Sequence, residues 1–591
     1  RHKTYDMNGQ IFFNLTPFKG FTWHTKMAGR LSDDKLHDWS GEKVPLYNYH
    51  SKEFSRNMDL GGGFIPGLQV EDDQNLYLNF YTYMEYVFQL KEDHNFKLML
   101  GYNQEKNERN VIWAKRRDYQ FVLPELDAGS NENMENSGYK EEWAIRSGFF
   151  RLNYDYKGKY MVEVNTRLDG TSRIASESRW GWFPSFSLGY RLTEEDFIKN
   201  LNWNWLSNLK IRGSWGQLGN QNIGLYPYQA IVDLTDSYPF DNATLTQGVA
   251  QKKYINRDLK WETTTITDVG LEISLFNRLN LTVDWYKKQT TDILRTAQLS
   301  NFVGLEAPYV NDGEMQNTGI EIAVNWNDYV KSGAMEGLQY NLGFYIDRYR
   351  NELTHFGADE IKSFSILREG IPYNSYYMFE AIGIFADQAE IDAAPKQFSD
   401  NTRPGDIRYR DVDNNGIIDY NDRVVMGGRF PKFEYSFNAG LSWKGFDLSL
   451  MFQGVEGKYT YVGASAGVVP FASYCGIPKD YLDGMWTEDN PENAINPRLY
   501  YDMGGTRNTR ASSYYLRNAS YLRLKNLMLG YTFPSEWTKK FAVNRLKVFF
   551  SGDNLLTFTP YKGLDPENDR DGSFLAYPQN RILSLGVNVE F

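Results

Sequence analysis

Over many stretches of this chain, apolar and polar residues alternate one for one across about ten residues, the period of an extended strand with two unlike faces. Tyr435, Phe437, Ala439, Leu441 and Trp443 alternate with Glu434, Ser436, Asn438, Gly440 and Ser442. After a tight Lys444-Gly445 turn, Phe446, Leu448, Leu450 and Phe452 alternate with Asp447, Ser449, Met451 and Gln453. A second hairpin runs from Leu271, Ile273 and Leu275 through Asn277-Arg278 into Leu281, Val283 and Trp285, with Glu272, Thr282 and Asp284 opposite. Tyr160, Val162, Val164 and Leu168 oppose Glu163, Asn165 and Arg167, and Leu209, Ile211 and Trp215 oppose Lys210, Arg212 and Ser214. The charged face needs water, and the other face suits hydrocarbon or a second sheet.

Composition favours hydrocarbon. The chain carries 42 Tyr, 37 Phe and 15 Trp in 591 residues, yet its mean hydropathy is −0.57. No apolar run approaches the roughly 20 residues that a membrane-spanning helix needs. Polar averages with abundant rings fit an all-β, transmembrane antiparallel β-barrel with aromatic girdles. The net charge of −11 argues against nucleic acid as a partner. Cys475, the one cysteine, has no internal disulfide partner and reads as a loop thiol.

The alternation predicts about seventeen strands, near 9–15, 20–30, 75–90, 96–104, 143–156, 160–170, 182–192, 207–217, 259–275, 279–292, 316–327, 337–352, 432–443, 446–457, 520–533, 544–556 and 579–591. Short connections (16–19, 91–95, 157–159, 276–278, 444–445, and 193–206 as the least clear) alternate with long ones (31–74, 105–142, 218–258, 353–431, 458–519). Short periplasmic turns opposite long extracellular loops are the outer-membrane pattern, and a soluble sandwich has no reason for it. Leu522 and Leu524 share a face while Leu527 and Leu529 fall on the other, which predicts a β-bulge near Asn526. The chain opens on Arg1 with no apolar signal segment. An odd strand count also starts the barrel outside the cell, so a signal peptide and further strands are expected upstream.

Several segments resemble the SusC/RagA family of TonB-linked outer-membrane transporters. They are Tyr521-Leu-Arg-Leu-Lys-Asn526, Leu529-Gly-Tyr-Thr-Phe-Pro534, Ser551-Gly-Asp-Asn-Leu-Leu-Thr-Phe558, Gly563-Leu-Asp-Pro-Glu567 and the terminal Phe591. Gly213-Ser-Trp-Gly-Gln217, Gly219-Asn-Gln221, Trp180-Gly-Trp-Phe-Pro184, Gly405-Asp-Ile-Arg-Tyr409, Pro431-Lys-Phe433 and Phe446-Asp-Leu448 add to these. The resemblance implies a barrel of about 22 strands, wide enough to require a plug, of which residues 1–591 supply the later strands and neither plug nor TonB box. It implies active import of oligosaccharides into a gram-negative cell, driven by TonB through the plug, with a SusD-like lipoprotein as the lid. A dimer of transporter–lid pairs is the assembly considered. Peptide import by the same architecture is the alternative within transport; a passive porin or a surface adhesin is the alternative outside it. A siderophore or cobalamin receptor fits the motifs less well.

Asp411-x-Asp413-x-Asn415-Gly416-x-x-Asp419-x-x-Asp422 places oxygen donors at positions 1, 3, 5, 9 and 12 of an EF-hand-like loop, with Gly at 6. The readings are a structural Ca2+ site and an Asx-rich turn without metal; no other cofactor is expected. Position 12 is Asp, shorter than the usual Glu. Candidate cargo residues on the long loops are Trp39, Trp180, Trp182, Tyr474, Tyr481, Trp486 and Tyr500, as flat rings, with Asp480, Asp483, Arg498 and Arg517 as hydrogen-bonding partners. The competing reading is that such rings anchor the barrel in outer-membrane lipid. Phe591 ends a strand that turns Leu583, Leu585, Val587 and Val589 outward, and resembles the signal read by the barrel-assembly machinery. His2, His24 and His37 lack ligand spacing, and no nucleophile elbow, phosphate loop or dinucleotide loop occurs. The chain is not expected to be an enzyme.

Overall fold

The computed structural model describes residues 1–40, 46–48, 52–55, 67–132, 134–233, 237–239, 245–398, 401–463, 479–500, 508–567 and 577–591. Seventeen long strands form one antiparallel sheet. They are β1 (His2–Leu15), β2 (Phe21–Ser40), β3 (Gly67–Leu90), β4 (His94–Arg117), β5 (Met134–Tyr156), β6 (Tyr160–Thr171), β7 (Trp180–Arg191), β8 (Leu206–Asn220), β9 (Glu262–Leu275), β10 (Leu279–Thr291), β11 (Glu314–Tyr329), β12 (Gln339–His355), β13 (Phe433–Trp443), β14 (Phe446–Glu456), β15 (Tyr521–Thr532), β16 (Arg545–Phe558) and β17 (Ile582–Glu590). Each strand expected from alternation is present. Among the described residues no helix is long and apolar enough to cross a membrane, which says nothing of strands.

The chain divides into two compact units. In the first, β1 to β6 pair each with the next in sequence. The buried core of this unit gathers Ile174, Phe183, Ile223, Leu259 and Trp261. In the second, β10, β11, β12, β13, β14, β15, β16 and β17 pair in the same consecutive way. Apart from shifts at the start of β11 and within β15, one register carries each strand's alternation to its neighbour, since a slip of one residue would turn every side chain to the other face.

The short turns are tight. Lys444 (φ +47°) and Gly445 (φ +89°), and Lys157 (φ +54°) and Gly158 (φ +65°), have both central residues left-handed, the twist that suits a two-residue hairpin. In the 276–278 connection the pair in that conformation is Phe276 (φ +55°) and Asn277 (φ +56°), one residue earlier than Asn277-Arg278. The bulge expected near Asn526 is present: the register shifts between Leu524 and Asn526 against β16, and between Met451 and Phe452 against β14.

Two of the long connections are shorter than the sequence suggests. β3 and β4 pair without interruption from Gly67 opposite Arg117 to Leu90 opposite His94, so residues 67–74 and 105–117 are strand. Residues 31–40 likewise belong to β2. Here both faces are polar, so apolar alternation stops while backbone pairing continues; Arg109 and Asp73 lock this region across strands at 2.7 Å.

The 353–431 connection is folded. Residues 360–361, 365–367, 375–379 and 423–425 pair edge to edge, and 381–384 pairs with 407–409. Residues 459–461 pair with 516–518. The core of this region is aromatic: Tyr376, Met378, Tyr461, Val462, Tyr481 and Tyr515 pack together, beside Phe379, Ile407, Tyr409 and Ile418.

Candidate functional site

The acidic loop closes on itself in the manner its spacing predicts. Asn414 (φ +58°) and Gly416 (φ +84°) are left-handed, which turns the chain so that the Gly416 amide donates to Asp411 Oδ2 at 2.8 Å. The Asn415 amide donates to Asp413 at 3.1 Å, and the Ile417 amide to Asn415 Oδ1 at 2.8 Å. Asp422 is fully buried and accepts from the amides of Val412 and Asp419. Carboxylate oxygens of Asp411, Asp413 and Asp422 lie within 4.8 Å of one another, and Asp411 Oδ1 is buried with no hydrogen-bond partner. Three of the five expected donors thus converge, and three carboxylates this close fit a hard divalent cation. Asp419 is committed elsewhere: it caps the Tyr420–Asp422 turn through the Asn421 amide.

The candidate cargo rings are unequally placed. Trp180 and Trp182 stand on β7, not on a loop; Trp182 is exposed and its indole donates to Thr166. Trp39 is the penultimate residue of β2 and meets Tyr119 edge to face at 4.8 Å. Tyr474 lies outside the described residues, as does Cys475. Asp480 lies in the short helix Lys479–Asp483, and Asp483 is exposed and paired with Lys479.

Tyr481, Trp486, Arg498 and Tyr500 are engaged within the chain. The Tyr481 hydroxyl donates to Pro497 O at 2.7 Å, and burial pushes this phenol well above its ordinary pKa. The Trp486 indole donates to Ala386 O at 3.1 Å, and Arg498 donates to Pro404 O at 3.0 Å while lying over the Trp486 and Tyr500 rings. Tyr500 donates to Asp406 at 2.6 Å. Gly405 (φ +90°) is required here, because a Cβ would sit 2.8 Å from the Trp486 ring. These side chains tie the 479–500 segment to residues 386–406. Arg517 rests over Tyr514.

Two stretches far apart in sequence, Tyr521–Asn526 and Gly563–Glu567, join in a buried ionic cluster. Arg523 reaches Asp565 at 2.9 Å and Glu567 at 3.2 Å, and Lys525 reaches Glu567 at 2.5 Å. Burial pushes the Asp565 carboxyl up, but the amides of Gln579 and Glu567 and the Arg523 guanidinium outweigh it, leaving the group below the ordinary carboxylate range.

Next to this cluster, with Glu567 in its wall, lies a cavity of about 460 Å3, where β12, β13, β14 and β15 meet the folded connections. Its wall includes Tyr349, Tyr376, Phe430, Glu434, Tyr459 and Tyr521. None of these was singled out for binding from the sequence, because they come from five separate segments and only the register brings them together.

The sequence profile of the family described as TonB dependent receptor-like, beta-barrel matches residues 4–555. The chain belongs to this family. Among TonB-dependent receptors, P3 of Formosa agariphila is 29% identical over 535 residues, covering 84% of this chain and 51% of that protein. SusC of Bacteroides thetaiotaomicron is 26% identical over 593 residues, covering 95% of this chain and 57% of that protein. The chain thus spans about half the length of these receptors. The solved RagAB peptide transporter superposes with a TM-score of 0.80 at 25% identity, over 100% of this chain and 62% of that one. This TonB-dependent receptor barrel is of the SusC/RagA type, as its C-terminal motifs suggested.

Proposed function

We propose that the protein imports a nutrient across the outer membrane of a gram-negative bacterium, with energy delivered through TonB and a SusD-like lipoprotein closing the external mouth. Oligosaccharide is the leading cargo. The observation that carries this reading is likeness to SusC along 95% of the chain, joined to strands with one charged and one apolar face. In this reading the short turns face the periplasm, the outward aromatics meet lipid, and the folded connections form the mouth. Peptide is the second cargo, favoured by the superposition on the RagAB peptide transporter.

The test is growth of a deletion strain on purified oligosaccharides and on a tryptic peptide digest as separate nutrient sources. Selective loss on one source identifies the cargo. Uptake that persists when TonB is also deleted would leave a passive porin, and no loss on either source an adhesin.

The Asp411–Asp422 loop, in the same reading, holds a structural divalent cation, calcium by its all-oxygen donors. Asp411, Asp413 and Asp422 would hold it, and it would neutralise three carboxylates that otherwise repel.

A further inference from the structure

The cavity at Tyr349 and Glu434 has a size typical of small-ligand sites, and a row of carboxylates in the sheet runs up to its wall. The strand register sets four carboxylates directly opposite one another on consecutive strands: Asp284 on β10 faces Glu321 on β11, Glu321 faces Asp347 on β12, and Asp347 faces Glu434 on β13. Like charges in directly opposed positions destabilise a sheet, so such a row needs compensation. Arg212 compensates the first, reaching Asp284 at 2.6 Å. No ion pair among the described residues reaches Glu321, Asp347 or Glu434, and Asp347 Oδ1 is buried without a hydrogen-bond partner.

The row ends inside the cavity, at Glu434. The cations on that wall are turned to other groups. Lys458 donates to the carbonyls of Pro566 and Glu567, and Arg429 lies over the rings of Phe364 and Tyr376. Lys432, on the face of Glu434, runs its methylenes along Gly457. Glu567 is held by Arg523 and Lys525. Glu434 therefore stands beside Tyr349, Phe430, Tyr459 and Tyr521 in the cavity wall as the carboxylate left to meet a ligand. Aromatic faces beside a carboxylate favour a compact cation over a neutral or anionic group.

We propose that this cavity is a cargo subsite selective for a primary ammonium group, with Glu434 as its direct partner and Asp347 and Glu321 supplying the field behind it. The proposal rests on the import reading and narrows its cargo. The ammonium can come from an amino sugar or from a lysine side chain, and the chemistry at Glu434 is the same.

The test uses the purified full-length transporter with its lipoprotein partner and two matched ligand pairs. One pair is a glucosamine tetramer and its N-acetylated counterpart; the other is the peptide Ala-Ala-Lys-Ala-Ala and its Gln counterpart. Calorimetry at low salt is expected to show the amine-bearing member of one pair binding about tenfold tighter, with the preference shrinking as salt rises. The pair that shows it identifies the source. Glu434→Gln, and separately Asp347→Asn/Glu434→Gln, are expected to erase the preference; the single variant serves if the double fails to assemble. Equal affinities within both pairs, no binding by any of the four, or a preference that survives Glu434→Gln each overturn the subsite. Import itself is decided separately by growth of the deletion strain.

Discussion

Arg523 and Asp565, 42 residues apart in sequence, form an ion pair at 2.9 Å in which both side chains are 5% exposed. Lone charges at this depth are costly, and each is tolerable because the other, Glu567 and backbone amides surround it. The pair fastens the start of β15 to the connection between β16 and β17.

Removing one partner should therefore be expensive. Arg523→Ala is expected to destabilise the folded barrel by about 3–5 kcal/mol, because Asp565 would be left buried without its cation. Heat-modifiable mobility on gels, or thermal melting in detergent, measures the shift; a change under about 1 kcal/mol would mean that water reaches the cluster.

The same site predicts acid sensitivity. The folded Asp565 carboxyl titrates below its ordinary value of 3.8, so its contribution is fully present above that value and is lost as pH falls through the folded pKa. Melting temperature is expected to fall below about pH 4, and Asp565→Asn to flatten that limb of the profile.

Trp486 offers a contrast between packing and binding. With its indole bonded to Ala386 O and its ring under Arg498, Trp486→Ala is expected to cost about 3–5 kcal/mol of stability. Limited proteolysis between residues 386 and 500 is the sensitive readout. A variant that keeps wild-type protease resistance but loses cargo affinity would return Trp486 to the binding surface.

For the acidic loop, Asp411→Ala/Asp413→Ala is expected to lower bound calcium, measured by elemental analysis of the purified protein, by about one ion for each chain. EDTA should lower the melting temperature of the wild type and leave the variant unmoved. Unchanged calcium content would make the loop an Asx-rich turn held by its own hydrogen bonds.

Phe591 follows a strand whose Leu583, Leu585, Val587 and Val589 are exposed, and is itself 84% exposed. Deleting it should lower the amount of folded protein in outer-membrane fractions several-fold while leaving synthesis unchanged, as pulse labelling can follow. Normal assembly would reduce Phe591 to one more interfacial ring.

The strands were legible because lipid on one face and water on the other write a period of two into the sequence. Even the β15 bulge could be read, since Leu524 and Leu527 change parity across it. The outer halves of β3 and β4 could not: from Glu71 to Asn75 and from Lys106 to Asn110 both faces are polar, and only backbone pairing marks a strand there. The Phe276-Asn277 turn escaped because an aromatic residue at positive φ contradicts turn propensity. At the candidate site, the acidic loop was local and its spacing sufficed for the turn. Tyr481, Trp486, Arg498 and Tyr500 were recognisable as rings and charges, but their partners, Pro497, Ala386, Pro404 and Asp406, include main-chain carbonyls about a hundred residues away. The row from Asp284 to Glu434 exists only once the register is known.

The hairpin of β3 and β4 keeps 24 residues paired on each side, whereas crossing the hydrocarbon takes about 9–11. More than half of its length therefore stands outside the bilayer as hydrogen-bonded ribbon. Secreted proteases cleave chain they can pull into an extended, unpaired form, and here the amides are already committed. With the short turns in the periplasm, as the proposed import reading has it, enzymatic shaving of living cells should leave this ribbon uncut, a fixed landmark for antibodies or phage.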